Sequence, residues 1–538
     1  MHTRDRLQQW TLRLGLAAFF VLASGLTARA VDIGLPSPQI VDAVQGPVAE
    51  HADQNEFVSL VTGGQTMAAF QAAFNDGDEL FETPFNAVDG GGANVGQGQR
   101  YTRTPRADLN GIGEWANHFP PRATGPNAQS CVECHVVPDQ DGAGGPSANV
   151  TRDPGHTANL GMFINRNTPA LFGLGAIQRL AEEMNKELQD LRDAAVSQAR
   201  SSGKNVTQKM TAKGIGFGSI IAHPDGSVDT TRLRGVDPDL VVRPFQWKGS
   251  FATIRSFVRD AANNELGMQA VELVGDGLDG DFDGVPDELT VGDVTAMTVY
   301  NAAQPRPVTK LELSRLNLIP PLSSAEAAAI QAGEAVFDKT GCGTCHVKQL
   351  VINDPSFSEP SRNPNYRDAQ FPAGQDPVSR GVSVKLPILF DLTSDQPDNQ
   401  INVSGKVIHL GSLEKDRFGH GVVRLFGDLK RHDMGPGLAE SIDEAGTGAS
   451  VFLTRNLWGV GSTAPYMHDG RATTLTEAII EHGGEGETAK QAFLALSTAD
   501  QQDLVAFLNN LVLFKQPDTA APATNTSTTV FQKKSFQR

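Results

Sequence analysis

Two short cysteine motifs constrain this chain of 538 residues more than any other feature. The first reads CVECH over residues 131–135, and the second reads CGTCH over residues 342–346. All the cysteines of the chain lie in these motifs, and they are Cys131, Cys134, Cys342 and Cys345. No cysteine is left over for a structural disulfide bond, so we expect the motifs to serve another chemistry.

The pattern C-x-x-C-H is typical of covalent haem attachment. Two thiols three positions apart can add to the two vinyl groups of one porphyrin, and the adjacent imidazole can bind its iron. His135 and His346 are therefore the predicted proximal iron ligands. A zinc site built from both cysteine pairs and a thioredoxin-like motif are the alternatives. Neither accounts for the histidine behind each cysteine pair as directly as haem attachment does. The motifs favour two covalently bound haems of the c type.

The N-terminus has the layout of a secretory signal peptide. A charged segment, MHTRDRLQQWTLR, precedes the apolar run LGLAAFFVLASGL, and the small residues of TARA predict cleavage after Ala30. The run is shorter than a typical membrane span, and an uncleaved anchor is the alternative interpretation. We expect residues 1–30 to be removed and the remaining chain to be periplasmic, with no stable membrane span after cleavage.

The chain is acidic, with a formal net charge of −17, and the predicted signal peptide carries four arginines against one aspartate. An acidic surface argues against nucleic acid as a partner. It suits a small basic electron-donor protein, such as a cytochrome c or a cupredoxin, through electrostatic steering. Ordinary solubility would explain the same charge.

Length and motif spacing predict two haem domains, because a chain of this size exceeds what one hydrophobic core can organise. A proline-rich stretch marks the boundary between residues 31–315 and residues 316–515. We expect a mainly α fold of two cytochrome c-like haem domains with long loops and insertions, among them a loop over residues 351–380. Residues 516–538 have few apolar side chains and are predicted to be disordered.

Three helices are predicted from capping signals and apolar spacing. Ser323 and Glu326 have capping-box spacing at the start of a helix over 324–338, which leads into the second cysteine motif. An amphipathic helix is predicted within 175–199 and a closing helix within 498–514.

An acidic loop between the two motifs resembles a calcium-binding loop. Its aspartates alternate around Gly284, and the candidate ligands are Asp279, Asp281, Asp283 and Asp287. Position 12 is Thr290 and not the glutamate of an EF-hand, so Asp287 or Glu288 would complete the site. A solvated acidic turn without a cation is the alternative.

Several short segments resemble one protein family. They are RNTPALFG, FQWKGSFATI, HDMGPGLA and TAPYMHDGRATTLTEAIIEHGG, together with the two cysteine motifs. In combination they are similar to the bacterial di-haem cytochrome c peroxidase superfamily, and above all to its larger branch of di-haem oxidoreductases. The resemblance extends over residues 60–515 and implies two haems, of which the N-terminal one reacts with peroxide.

For the N-terminal haem, the resemblance implies a loop histidine that caps the iron at rest and leaves on activation. His156 stands in the matching place, with Met162 or an open five-coordinate iron as the alternatives. The family also places a glutamate near the peroxide site, where it can move a proton during O–O cleavage. Glu265 corresponds to it, although the register is slightly offset.

For the second haem, the resemblance implies a distal ligand at the position of His482. Simple peroxidases carry methionine there, and imidazole in its place should lower the potential of the haem. Met434 and Met467 are the alternative ligands. The family also has a tryptophan between the haems, matched by Trp247, whose alternative role is core packing. The other histidines of these segments, expected to make structural hydrogen bonds, are His432 and His468.

The resemblance therefore implies a peroxidase that reduces H2O2 with electrons from a small donor protein. Two alternatives remain open. The extra length over a minimal peroxidase favours an oxidase or oxygenase that uses O2 or H2O2 to oxidise an organic or protein substrate. A pure electron-transfer cytochrome would have both irons six-coordinate.

Overall fold

The computed structural model describes residues 46–109, 117–403 and 405–515. The predicted signal peptide and the predicted disordered tail, residues 1–30 and 516–538, lie outside these ranges. Among the helices that are described, none combines the length and the apolar character needed to cross a bilayer.

Helices and strands are mixed, with 35% of the structure helical and 15% in strands. The prediction of a mainly α fold is therefore wrong. Segments that pack against a core must pair their backbone N–H and C=O groups, and the connecting segments do so as short antiparallel strands. Within the segment predicted as a long loop, Ser356–Glu359 is a strand that pairs with Ile388–Asp391.

The α-helices of the described residues range from four to 29 residues in length. In chain order they are α1 (Gln54–Thr62), α2 (Thr66–Glu82), α3 (Leu174–Ser202), α4 (Ile254–Ala261), α5 (Val271–Val274), α6 (Val291–Ala302), α7 (Lys310–Arg315), α8 (Ser324–Lys339), α9 (Leu475–Glu481), α10 (Glu487–Leu494) and α11 (Thr498–Asn510).

The strands pair in antiparallel sheets of two or three strands within the described ranges. They are β1 (Val150–Arg152), β2 (Ile164–Arg166), β3 (Val206–Ala212), β4 (Ile215–Ala222), β5 (Val228–Asp229), β6 (Val308–Thr309), β7 (Leu350–Ile352), β8 (Ser356–Glu359), β9 (Ile388–Asp391), β10 (Gln400–Val403), β11 (Lys406–His409), β12 (Glu414–Lys415), β13 (Gly421–Val423), β14 (Arg431–Asp433), β15 (Val451–Leu453) and β16 (Leu511–Val512).

The amphipathic helix predicted near residue 180 is α3, which buries Leu180, Met184 and Leu188 along one stripe. The hairpin of β3 and β4 covers this stripe, and its Met210 and Phe217 belong to the same buried cluster. The sequence analysis did not predict this hairpin, whose strands alternate between exposed and more buried side chains along most of their length.

Helices α8 and α11 cross next to the second cysteine motif. The predicted capping box of Ser323 and Glu326 is present at the start of α8. At Gly333 a β-carbon would lie 1.9 Å from the carbonyl oxygen of Asp503, so the crossing requires glycine. Phe337 packs on Phe507 with ring centres 5.5 Å apart. The crossing therefore supports the segment that carries the motif.

Buried apolar side chains of the described residues form one large cluster and three smaller ones, of which one lies beside the second motif. The large cluster combines Leu180 and Tyr300 with Ile352 and Phe390, which lie on the other side of the predicted boundary at residue 315. The division into two domains stays a prediction.

Candidate functional site

The first cysteine motif forms a single 3-10 turn over Cys131–Glu133. The amide nitrogens of Cys134 and His135 lie 3.2 and 3.1 Å from the carbonyl oxygen of Cys131. The turn therefore brings the two cysteines and the histidine together in one compact loop.

The imidazole of His135 is oriented by the loop that follows it. Its Nδ1 lies 3.0 Å from the carbonyl oxygen of Gly142 and donates to it, which leaves Nε2 for a metal. Burial lowers the pKa of His135 to about 4. The ring is therefore neutral at physiological pH, as an iron ligand must be.

The second motif has the same construction and a second imidazole facing it. Cys342–Thr344 is a 3-10 turn, and His346 Nδ1 lies 3.3 Å from the carbonyl oxygen of Phe426. Burial, followed by the proximity of His482, lowers the pKa of His346 to about 4. The rings of His346 and His482 have their centres 6.3 Å apart.

This spacing fits an ion held between the two rings. A histidine nitrogen binds a metal at about 2 Å and the ring centre lies roughly 1 Å further back, so two imidazoles on opposite sides of one ion have centres about 6 Å apart. His482 directly follows α9, and its Nδ1 donates to the carbonyl oxygen of Ala478 at 2.8 Å. Its Nε2 is thereby available for a metal.

A cavity of about 570 Å³ lies between these imidazoles and extends to the first half of the chain. This volume is in the range of cofactor pockets. Its lining includes both alternative ligands, Met434 and Met467, and both cysteines of the second motif. The residues present therefore fit a haem that is linked to Cys342 and Cys345.

Trp247 lines the same cavity and is held from both sides. Its indole Nε1 donates to the carbonyl oxygen of Asn167 at 2.8 Å, and the guanidinium of Arg455 lies 4.7 Å from the centre of its ring. The backbone carbonyl of Trp247 accepts from the amide of Leu453 at 2.8 Å. The indole is thus fixed between a segment of the first half and a segment of the second.

Two further cavity residues escaped the sequence prediction, Arg455 and Trp458. Burial lowers the pKa of Arg455 to about 10, and no carboxylate of the described residues forms an ion pair with it. A buried guanidinium of this kind suits a ligand that brings its own carboxylates, as haem does. Trp458 packs closely on Gly173. No spacing signal in the sequence distinguishes either residue.

Glu265 lies in a π-helical turn, Ala262–Leu266, that continues α4. Such turns are rare and occur often at functional sites. Burial raises the pKa of the Glu265 carboxyl to about 7, and its Oε2 is buried without a hydrogen-bond partner. Burial and then the nearby Glu265 carboxylate raise the pKa of the Cys134 thiol to about 12. The backbone carbonyl of Glu265 accepts from the amide nitrogens of Asn127 and Ala128 at 2.9 and 3.2 Å, which places this turn next to the segment before the first motif.

His156 lies on a loop with a left-handed backbone conformation at φ +49°. Its Nε2 is 2.7 Å from the carbonyl oxygen of Arg122 and donates to it. To bind iron through Nε2, His156 would have to give up this hydrogen bond. Met162 ends a partly exposed 3-10 turn, Leu160–Met162.

The two histidines expected to make structural hydrogen bonds are both enclosed. His432 Nε2 lies 2.8 Å from Asp428 and its Nδ1 lies 2.7 Å from Glu485. Burial opposes its charge, but these carboxylates raise the pKa of His432 to about 10. His468 stacks on Phe452 at 4.3 Å.

Metal-ligating groups cluster in two other places within the described ranges. Cys345, Asp428 and His432 form one group, but neither group combines the two cysteine pairs, as the zinc alternative requires. In the second group, carboxylate oxygens of Asp279, Asp281 and Asp283 all lie within 4.8 Å of one another.

One oxygen of this acidic group and one oxygen of Glu288, which follows it in the chain, are buried without a partner. Asp281 Oδ1 and Glu288 Oε1 are buried without a hydrogen bond, and both residues are at most 2% exposed. Asp281 and Asp283 pair with Arg122 and Arg100. Burial, followed by the charges of Asp281 and Asp283, raises the pKa of Glu288.

The carboxylate of Asp287 makes a hydrogen bond outside this group, because its Oδ1 accepts from the amide nitrogen of Gly277 at 2.7 Å.

Comparison with known proteins matches part of the chain. Residues 392–511 match the family model described as "Di-haem oxidoreductase, putative peroxidase". "Cytochrome-c peroxidase IdrP2" of Pseudomonas sp. (strain SCT) is 45% identical over 82 residues, which are 15% of this chain and 22% of that protein. The chain thus spans about a fifth of the length of the curated relative that it matches.

Two solved structures show weak likeness. A MauG-like protein associated with microbial copper homeostasis is 14% identical with a TM-score of 0.25, over 63% of this chain and 89% of that one. The hydrazine synthase of Kuenenia stuttgartiensis is 16% identical with a TM-score of 0.19, over 42% of this chain and 57% of that one. Scores this low carry no argument about fold or function.

Proposed function

The chain belongs to the family of di-haem oxidoreductases related to cytochrome c peroxidase, and from that premise we propose that it is a periplasmic di-haem peroxidase. It reduces H2O2 to two water molecules with two protons and two electrons from a small donor protein. One observation carries the proposal, the difference between the two motifs. His346 faces a second imidazole, whereas the first motif has none of the described imidazoles shown facing His135, and the turn that carries Glu265 is bonded through its backbone to Asn127 and Ala128, just before this motif.

The haem cofactors of the family are, in this proposal, bound covalently. Cys131, Cys134 and His135 hold the first, and a second set of residues holds the other, namely Cys342, Cys345, His346 and His482. When bound, haem supplies one-electron redox chemistry and, where an axial position is open, a place for a small oxygen species. His482 closes the second site to such a species, so that site exchanges electrons only.

Glu265 is the proposed proton carrier of the first site. A pKa of about 7 lets its carboxyl group take up and release a proton at neutral pH. The unpartnered Oε2 is the atom that does so. His156 is the proposed removable ligand, and it would have to release its hydrogen bond to the carbonyl oxygen of Arg122 in order to hold the iron.

Trp247 is the proposed bridge between the sites. It lines the cavity of the second site, and its indole donates to Asn167. Thr168, the next residue, accepts through its carbonyl oxygen from the amide nitrogen of Gly144, in the loop behind the first motif, at 3.0 Å. A fixed indole between two redox centres shortens the steps that an electron must cross.

The proposed electron donor rests on the charge of the chain, and the proposed periplasmic location rests on its N-terminal segment. A net charge of −17 supports a basic donor protein, and Glu477, Glu481 and Glu485 give the surface near His482 the same sign. Residues 1–30 support export, which covalent haem attachment requires.

A divalent cation, for which calcium is suited, is the further proposed cofactor. Its ligands are Asp279, Asp281 and Asp283, with Glu288 in place of Asp287. Two arginines offset part of the charge of these four carboxylates. The remaining charge of two matches one divalent cation.

Peroxide-dependent oxidation of a reduced basic cytochrome c by the purified full chain tests the proposal. We expect turnover after one-electron reduction, and a loss of about 100-fold in Glu265→Gln, as for other acid–base groups. The exposed Glu56→Gln is the matched control. No turnover in the haem-loaded parent at any redox state would overturn the peroxidase assignment, and low-spin EPR signals from both irons throughout would select electron transfer instead.

A further inference from the structure

The loop behind the first cysteine motif is a tight turn that presents one carbonyl group to His135. Val137 and Ala143 form an antiparallel bridge across it, and the carbonyl of Gly142 accepts from His135 Nδ1 at 3.0 Å. A β-carbon at Gly142 would lie 2.2 Å from the carbonyl oxygen of Val137. The position of this carbonyl therefore depends on the exact path of the turn.

Asp141 anchors this turn from inside the protein. It adopts a left-handed backbone conformation at φ +59° and is fully buried. Its Oδ2 accepts from the hydroxyl of Tyr300 at 2.8 Å and from Nζ of Lys515 at 2.9 Å. The residue directly before Gly142 is thus held by two donors that are distant in sequence.

Lys515 reaches this turn from the end of the described chain, three residues after β16. Its side chain is 4% exposed, and its Nζ also lies 2.9 Å from Asp398. Burial opposes the charge of Lys515, but Asp141 and Asp398 outweigh burial and raise its pKa. The ammonium group therefore stays charged between two carboxylates.

No second cation of the described residues pairs with Asp141. Burial raises the pKa of Asp141, and the ammonium of Lys515 opposes that rise. Without Lys515, Asp141 would take up a proton or turn toward water, because an unpaired buried charge is strongly unfavourable. Either change would release one of the two anchors of the turn.

We propose that Lys515 and Asp141 are positioning residues for His135 and tune the first haem through the Gly142 carbonyl. This inference rests on the proposed role of His135 as an iron ligand. A strong hydrogen bond from Nδ1 makes a ligating imidazole more basic, and a more basic ligand favours oxidised iron. The pair thus holds the first haem in a more oxidised state than a free turn would.

A spectroelectrochemical titration of the full haem-loaded chain tests this, with Lys515→Met as the variant. At the midpoint potential of the parent first haem, we expect the ratio of reduced to oxidised first haem to rise tenfold, about 59 mV for one electron. The second haem, whose His346 bonds to a different carbonyl, is the internal reference. The exposed Lys186→Met is the matched control, since Lys186 pairs with Asp190 on the surface.

Resonance Raman spectroscopy supplies a readout that does not depend on activity. The iron–histidine stretching band of the reduced first haem should move to lower frequency in Lys515→Met and stay in place in Lys515→Arg, which keeps the charge. If Lys515→Met cannot be recovered in folded form, Tyr300→Phe is measured in its place, because it removes only one hydroxyl donor to Asp141. A smaller change in the same direction is then expected.

Three results would overturn the inference. The first is an unchanged midpoint potential of the first haem in Lys515→Met, or in Tyr300→Phe if that variant has to replace it. The second is an equal shift of the midpoint potentials of both haems. The third is an equal shift of the first haem in the control Lys186→Met. None of these affects the proposed peroxidase function. By contrast, a parent protein without haem at the first motif would overturn the proposed function and this inference together.

Discussion

His346 and His482 face each other with ring centres 6.3 Å apart, although 135 positions separate them in the chain. Nδ1 of His346 donates to the backbone carbonyl of Phe426, and Nδ1 of His482 donates to that of Ala478. Both Nε2 atoms are thereby left for a shared ion. From this pair follows the most direct test of the second haem.

His482→Met should convert the second haem from two imidazole ligands to one imidazole and one thioether. Because a thioether favours reduced iron, we expect its midpoint potential to rise while the first haem keeps its own. EPR spectroscopy combined with a redox titration measures both haems at once. His409→Gln, at a surface histidine that pairs with Asp395, serves as the comparison. An unchanged second-haem EPR signal in His482→Met would point to Met434 or Met467.

The pH dependence of turnover should report on Glu265. If its carboxylate accepts the proton, the rate rises with pH through about 7, because the group is ionised only above its raised pKa. Glu265→Gln should flatten this limb and lower the rate about 100-fold. Initial rates between pH 5 and 9 measure both effects. A limb that persists unchanged in the variant would assign the proton transfer to another group.

Removal of a bound cation should destabilise the acidic loop. We expect a chelator to lower the melting temperature of the parent protein, and calcium to restore it, because Asp281 and Glu288 retain unpartnered buried oxygens. Glu288→Gln should abolish the response, whereas Asp287→Asn should keep it, since Asp287 bonds to Gly277. Differential scanning calorimetry measures the shift. An identical melting temperature with chelator and with calcium would show that the acidic loop is a solvated turn without a bound cation.

The crossing of α8 and α11 should not tolerate a side chain at Gly333. A β-carbon there meets the carbonyl oxygen of Asp503 at 1.9 Å, so Gly333→Ala should lower the free energy of unfolding by about 1–3 kcal/mol. The exposed Gln331→Ala on the same helix is the control. Denaturant unfolding measures both, and equal stability of the two variants would contradict the tight crossing.

The sequence was sufficient to predict those features that lie within one continuous stretch of the chain. The two CxxCH motifs, the capping box of Ser323 and Glu326 and the stripe of α3 could all be read directly, because neighbouring residues determine them. The mainly α prediction failed because strands of two to eight residues form only when a partner strand arrives. Their own sequences are too short to show a period.

The sequence by itself predicted the haem-binding chemistry, since the two cysteines and the histidine of each motif lie within five consecutive positions. Only the tertiary structure decided what surrounds each motif. It placed Arg455 against Trp247, Glu265 against Ala128, and Lys515 against Asp141. These pairs are far apart along the chain, and burial and charge act between them through space, so no local pattern records their contact.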